Sequence, residues 1–364
     1  MTTVPPQLTP GAPIMLVGQA PADHEVVKGR PFVGPAGREL DSWLVAAGLA
    51  QAKERQLESG RWIKWVPRDH LAITNVWLEP LAPGGLQEMT ATLREAKAEG
   101  WETVGTPLSK GRYLRPRWQG CIERLQREVD LVRPTLLIAF GNEALWALSG
   151  QTGIEALRGA WFESRFGPKA IATFHPSAIL RGGYRYRPLA IADLVKARDG
   201  QHTPTIDWPH RELWLDPTLE DLRRFDAVLQ VRGTDALSID IETAKGEITS
   251  VAFAPSPFFS LCVPFSFDDR SYWPTAAHEV AAWEWVKRWC ESPFPKLLQN
   301  GLYDAQWLWE KRGIALRNYL HDTRLAHHAL FPELPKSLGF MGSLWAQERA
   351  WKMLAARHGA KRDD

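Results

Sequence analysis

The segment LSIDIETAKGEITSVAFA, Leu237 to Ala254, closes one apolar run on two carboxylates, Asp240 and Glu242, just before a second apolar run begins. Two residues apart on an extended strand, these side chains point to the same side. Like charges held together repel unless a cation lies between them, and hard divalent ions such as Mg²⁺ or Mn²⁺ take oxygen ligands of this kind. Downstream, LLQNGLYDAQWLWEKRGI sets Asn300 and Asp304 four residues apart, on one face of a helix if a helix begins there. HDTRLAHHAL then adds Asp322, which suits a helix N-cap. A second constellation lies near the start of the chain. VGQAPADHEVVKGRPFVGPAGREL, Val17 to Leu40, reads as a strand, a loop crowded with Gly and Pro, and a helix beginning near Ala36. Such a loop lets backbone approach a phosphate or a base closely. Asn75 in ITNVWLEP and His175 in TFHPSAILRGGYRYRP each end an apolar run, and Ser177, Arg181, Arg185 and Arg187 follow His175. His24, between Asp23 and Glu25, reads as a surface loop histidine.

Positioning these residues takes more than one folding unit. At 364 residues with 45% hydrophobic content the chain can bury two cores. Its formal net charge of +2 implies that any basic surface is local. Three cysteines, Cys121, Cys262 and Cys290, lie far apart without a CxxC pair, which argues for a reducing, cytoplasmic setting and against a disulfide framework or zinc knuckle. The opening MTTVPPQLTPGAP lacks an export pattern, and no stretch is apolar enough to span a membrane, so a soluble, unexported protein is expected. Short apolar runs at PIMLVGQAP, HLAITNV, TLLIAFG and AIATFHP alternate with helical patterns near 36–49, 87–98 and 118–132. That alternation predicts a parallel α/β sheet with its ligand at the strand carboxyl ends. Prolines and polar residues over 199–210 predict a linker, giving domains at 1–198 and 211–364. The second domain begins with a helix near 218–229 and a meander of strands, followed by a helix near 277–291, a strand at KLLQN and further helices.

The DIET strand, the NxxYD element and the DTxLxxxxL helix, in this order, resemble the proofreading 3′→5′ exonuclease domain of bacterial DNA polymerase I and its phage relatives. The resemblance implies an RNase H-like mixed sheet. It also implies two divalent metals, Mg²⁺ or Mn²⁺, held by Asp240, Glu242 and Asp304, with Asn300 orienting the 3′-terminal nucleotide. That family carries a further YxxxD motif. After SLGFMGSLW this chain reads AQERAWKMLAARHGAKRDD, with no tyrosine beyond Tyr319, and Asp363 and Asp364 lack the helical context to substitute. A partner chain supplying that helix is one expectation, and a crippled nuclease is the other.

The run from Gly18 through Phe32 to Gly37, followed by Asn75 and by His175-Pro176-Ser177, resembles the uracil-DNA glycosylase superfamily, closest to its iron–sulfur branch, family four. The resemblance implies an α/β/α parallel-sheet fold in which Phe32 stacks on a flipped-out uracil, Asn75 reads its Watson–Crick edge and His175 stabilises the departing base. Ser177 and Arg181 join the substrate-binding set, Ala178 to Leu180 form a wedge, and the arginines hold phosphates. Two positions depart from the pattern. Only Cys121 lies in this half, so no iron–sulfur cluster is expected. The family's acid stands as Gln19, so water activation would fall to Asp23 or Glu25, and slow uracil release is the expectation. Together the two resemblances imply replication or repair of single-stranded or uracil-containing DNA in a bacterial or phage setting. A non-catalytic accessory to a separately encoded family A polymerase, or the N-terminal part of a split polymerase, remains the alternative.

Overall fold

The computed structural model describes residues 3–59, 61–82, 84–232, 235–267 and 270–346, so Asp363 and Asp364 lie outside the described residues. The chain divides into two compact units, the first comprising Met1–Ile206 with Gly339–His358, and the second beginning at Asp207. The division at Ile206 falls inside the expected linker. The described residues 339–346 count with the first unit rather than with the sequence-predicted second domain. Among the described residues no helix is long and apolar enough to cross a membrane.

In the first unit, β1 (Ile14–Gly18), β2 (Leu71–Asn75), β3 (Leu136–Phe140) and β5 (Lys169–Thr173) pair in parallel, and β4 (Trp161–Glu163) joins the edge antiparallel to β5. The order across the sheet is β2-β1-β3-β5-β4. Each parallel strand is buried along its whole length. Continuous apolar runs therefore form these strands, because both faces are covered. The helices α1 (Asp23–Lys28), α2 (Pro35–Ala46), α3 (Gly120–Val132), α4 (Asn142–Ser149) and α5 (Arg187–Gly200) carry the connections that matter for the site. The helix expected over 87–98 is broken: Thr90–Thr92 is a strand paired with Arg112–Leu114, between Gly85–Met89 and Leu93–Ala98. Periodicity missed this because the pairing partner lies some twenty residues downstream.

Arg158, in a buried ion pair with Asp193, and Lys196 hold the returning chain on the first unit, Arg158 Nη1 donating to Ser343 Oγ at 3.4 Å. Arg158 and Asp193 are both buried, Asp193 Oδ2 accepts from Arg158 Nε at 2.8 Å and from Thr173 Oγ1 at 2.7 Å, and Lys196 Nζ donates to the carbonyls of Ser343 at 3.0 Å and Ala346 at 2.8 Å.

The second unit has a mixed sheet. Its strands are β6 (Glu212–Trp214), β7 (Leu237–Ala244), β8 (Glu247–Ser256), β9 (Phe259–Pro264), β10 (Lys296–Leu298) and β11 (Tyr319–Asp322), in the order β6-β9-β8-β7-β10-β11. The β9-β8-β7 meander is antiparallel, while β10 and β11 continue from β7 in parallel. This is the mixed α/β arrangement that the sequence predicts. Leu237, Ile239 and Ile241 enter the core with Phe225, Phe253 and Trp285, and burying such a side chain contributes roughly 1.5–3 kcal/mol. Strand alternation then leaves Asp240 and Glu242 on the opposite, exposed face.

Candidate functional sites

The first unit's site is built where its parallel strands end. Gly18 closes β1 and Asn75 closes the neighbouring β2, in register with each other. A Cβ on Gly18 would lie 2.3 Å from Asn75 Oδ1 and 2.7 Å from the tip of the Phe32 ring. Only glycine lets both side chains converge there. Asn75 is 3% exposed and Phe32 2%. The Phe32 ring faces those of Phe140 and His175, with centroids 5.8 and 5.6 Å away. Phe32 has φ of 54°, left-handed for a bulky residue, so its surroundings must hold it. Its N–H donates to Glu25 Oε1, and its carbonyl accepts from Arg68 Nη1 at 3.0 Å. The same guanidinium donates to Gly37 O at 2.8 Å and Asp41 Oδ1 at 2.7 Å. Gly37 is required as well, since a Cβ there would fall 1.7 Å from the Phe32 carbonyl oxygen. Arg124 clamps the reader strand, donating to the carbonyls of Asn75 at 2.6 Å and Val76 at 2.8 Å. Neither Arg68 nor Arg124 stands in a motif, and only their tertiary partners reveal them.

His175 follows β5. Its Nδ1 lies 2.8 Å from Ser177 Oγ and accepts from the Ser177 N–H at 3.1 Å. An accepting Nδ1 leaves the ring proton of a neutral imidazole on Nε2, a tautomer assigned from hydrogen bonding. Burial first, and the Arg181 charge second, push the imidazole down to about 4. The group at this strand end is thus a neutral donor at pH 7.

Several expected roles change. Glu25 is buried, and its Oε2 accepts from Ala22 N–H at 2.6 Å while Oε1 holds Phe32, so it shapes the loop and is not free to activate water. Desolvation raises its pKa against those hydrogen bonds. Asp23 is exposed, as is His24, which packs its Cβ beside Gly34. Gln19 is half-buried, next to Gly18. In the expected wedge Ile179 is buried and only Leu180 is well exposed. Arg181 and Arg185 are exposed, but Arg187 is committed to Glu39 Oε1 at 2.5 Å and Ser42 Oγ at 2.8 Å. An iron–sulfur cluster does not fit: Cys121 is the one cysteine of residues 1–206, and burial pushes its thiol up to about 11, away from the thiolate a cluster needs.

The second unit's site centres on β7. Asp304, in the first turn of α6 (Leu302–Arg312), is 3% exposed, and its Oδ1 accepts from Ile241 N–H at 3.0 Å. That amide lies between Asp240 and Glu242. Burial, then the Asp240 charge, push Asp304 up to about 7, with Asp322 adding to the effect. Asn300 lies ahead of the helix with φ of 64°, so it does not share a helical face with Asp304. Its side chain instead accepts from Arg324 at 2.5 Å. Asp322 caps α7 (Thr323–Leu330) by accepting from Leu325 N–H at 3.0 Å, and also takes the N–H groups of Asn300 and Gly301. Among the described residues no group of three or more His, Cys, Asp or Glu closes tightly enough to hold a metal ion as it stands. The donor chemistry of Asp240, Glu242 and Asp304, all carboxylate oxygen, nevertheless suits Mg²⁺ or Mn²⁺.

Residues 5–196 match the model of the uracil DNA glycosylase superfamily. The chain belongs to that superfamily. Type-4 uracil-DNA glycosylase of Sulfurisphaera tokodaii is 27% identical over 220 residues, covering 56% of this chain and 79% of the relative. The type-4 enzyme of Archaeoglobus fulgidus is 28% identical over 185 residues, covering 49% and 69%. The superfamily match covers the first unit's site, from Gly18 to His175. Among solved structures, the EXD2 exonuclease domain soaked in Mn and GMP is similar over 36% of this chain and 68% of its own, at 14% identity and a TM-score of 0.26, a score too low to carry an argument.

Proposed function

We propose that the protein processes DNA and that its first unit recognises and excises uracil. The observation that carries this reading is the convergence of Asn75 and Phe32 over Gly18, with the neutral His175 facing the Phe32 ring. A carboxamide can donate to and accept from the Watson–Crick edge of uracil, and an aromatic ring stacks on the base. A neutral imidazole with its proton on Nε2 donates to the oxygen on which charge develops as the base departs. Leu180 and the exposed Arg181 and Arg185 suit duplex entry and phosphate contact. The test is binding to oligonucleotides that differ only in uracil or thymine at one position. Uracil DNA binds more tightly, and Asn75→Ala removes the preference while overall affinity stays. Equal binding of the two by the unaltered protein overturns the reading.

For the second unit, the bond from Asp304 to the amide between Asp240 and Glu242 favours a metal-dependent 3′→5′ exonuclease. Divalent ions there supply activation of a water and stabilisation of the leaving 3′ oxygen. The chain's own part is to set Asp240 and Glu242 on the exposed face of β7, to hold Asp304 against the amide between them, and to fix the Asn300 turn through Asp322. A separately encoded family A DNA polymerase is the partner such an activity would serve, in a bacterial or phage-infected cytoplasm.

A further inference from the structure

Uracil excision needs a negative charge beside the sugar as well as a donor to the base, and the residues considered so far do not supply one. Gln19 carries no charge, Asp23 is exposed, and both oxygens of Glu25 are engaged by backbone N–H groups. The strand order leads to another carboxylate. Because β3 lies between β1 and β5, the residues after Phe140 leave the sheet between the strand ends that carry Gly18 and His175. Gly141, with φ of 89°, turns the chain there. The space that a Cβ on Gly141 would occupy is bounded by His175 Cβ at 3.4 Å and Glu143 Oε2 at 3.9 Å. Asn142 is committed elsewhere, its Oδ1 accepting from Gly153 N–H at 3.0 Å and Ile154 N–H at 2.8 Å. Glu143 is half-buried, and among the described residues only its own amide is hydrogen-bonded to its carboxyl. Desolvation raises its pKa, opposed only by the bond to its own amide. A desolvated carboxyl whose one partner is its own amide, beside the proposed base-activating histidine, is placed for function.

We propose that Glu143 is the carboxylate that faces the deoxyribose of the flipped-out nucleotide, stabilising the sugar cation and taking the proton of the attacking water. This rests on the uracil-pocket reading. The C1′–N1 bond breaks with its electron pair passing to uracil, and the water oxygen bonds to C1′. The water proton passes to Glu143 and returns through solvent to the uracil anion, so the products are free uracil and an abasic sugar. The missing acid of the Gly18-Gln19 pair is thereby replaced from the first turn of α4, the helix that follows the adjacent strand β3.

The test uses the full chain and DNA carrying one of two abasic analogues, a cationic pyrrolidine or a neutral tetrahydrofuran, each with free uracil added. The unaltered protein binds the cationic analogue about tenfold or more tightly than the neutral one, because opposite charges meet in a partly desolvated site. Glu143→Gln reduces the ratio to about one, Glu143→Asp restores part of it, and both variants keep the preference for uracil over thymine. Release of uracil by Glu143→Gln falls about a hundredfold to a thousandfold, the usual loss for one positioned charge-stabilising group. Equal binding of the two analogues by the unaltered protein, or an unchanged ratio in Glu143→Gln, overturns the proposal. Absence of any uracil preference in the unaltered protein is a different failure: it removes the pocket reading, and the proposal with it.

Discussion

In the first unit the site residues stand at the ends of parallel strands and the chain itself holds them: Arg68 and Glu25 fix Phe32, Arg124 fixes the Asn75 backbone, and Ser177 fixes the tautomer of His175. In the second unit two carboxylates stand on the exposed face of one strand, with a third buried beside the amide between them. The first site has its loop, its reader strand and its histidine ring held by the chain's own hydrogen bonds, so it is organised before a ligand arrives. The second concentrates like charge, and burial raises its inner acid rather than ionising it. Such a site is finished only by a cation from outside. The two halves differ in what they require: the first a ligand that fits, the second an ion that neutralises.

The comparison breaks most sharply at Gly37. In Gly37→Ala the new methyl meets the Phe32 carbonyl, a backbone atom that cannot step aside. The expected result is loss of the uracil preference and a destabilisation of about 3 kcal/mol in the first unit, with metal-dependent behaviour of the second unchanged. Urea unfolding followed by amide exchange in each unit measures this, and full retention of uracil selectivity would contradict the role given to the Phe32 loop.

A change confined to the second unit is next in size. Replacing Asp240 and Glu242 together by Ala abolishes Mg²⁺- or Mn²⁺-dependent degradation of single-stranded DNA from its 3′ end, and leaves uracil binding intact. Undiminished degradation by this double variant would sink the exonuclease reading.

The smallest effects come from pH, and they separate the units by sign. Asp304 is pushed up to about 7 from 3.8, so the folded state holds a proton that the unfolded state has lost across that interval. Stability of the metal-free second unit therefore falls as pH rises from about 4 to 7. Asp304→Asn flattens that slope, read as exchange protection of the Ile241 amide. His175 is pushed down from 6.5 to about 4, so here the unfolded state binds the extra proton. The first unit accordingly loses stability as pH falls through that window, while uracil preference stays flat from pH 5 to 8. A preference that drops through pH 6.5 would mean that His175 titrates like an exposed histidine.

Local pattern made much of this legible. The fully apolar runs ending at Gly18, Asn75 and Phe140, and the run leading to His175, announced buried parallel strands. The alternation of Leu237, Ile239 and Ile241 with Asp240 and Glu242 announced a half-buried strand with acids outward. These signals are carried by residues within a few positions of one another, which is why the sequence alone determined the parallel strands of the first sheet, the meander and β10 of the second, and the strand-end placement of Asn75 and His175, but not the short edge strands β4, β6 and β11. What it could not determine were partners distant along the chain. Glu25 was turned inward by the amide of Phe32, seven residues on, and Arg187 was drawn to Glu39 across 148 positions. Asn300 left the helix because Asp322, on the next strand, took its amide, and residues 339–346 returned to the first unit through Lys196. Glu143 came beside His175 only because strand order set Phe140 between Gly18 and Thr173. Each of these outcomes depends on which buried polar group finds a donor or acceptor, and that choice is made only when distant segments are brought together.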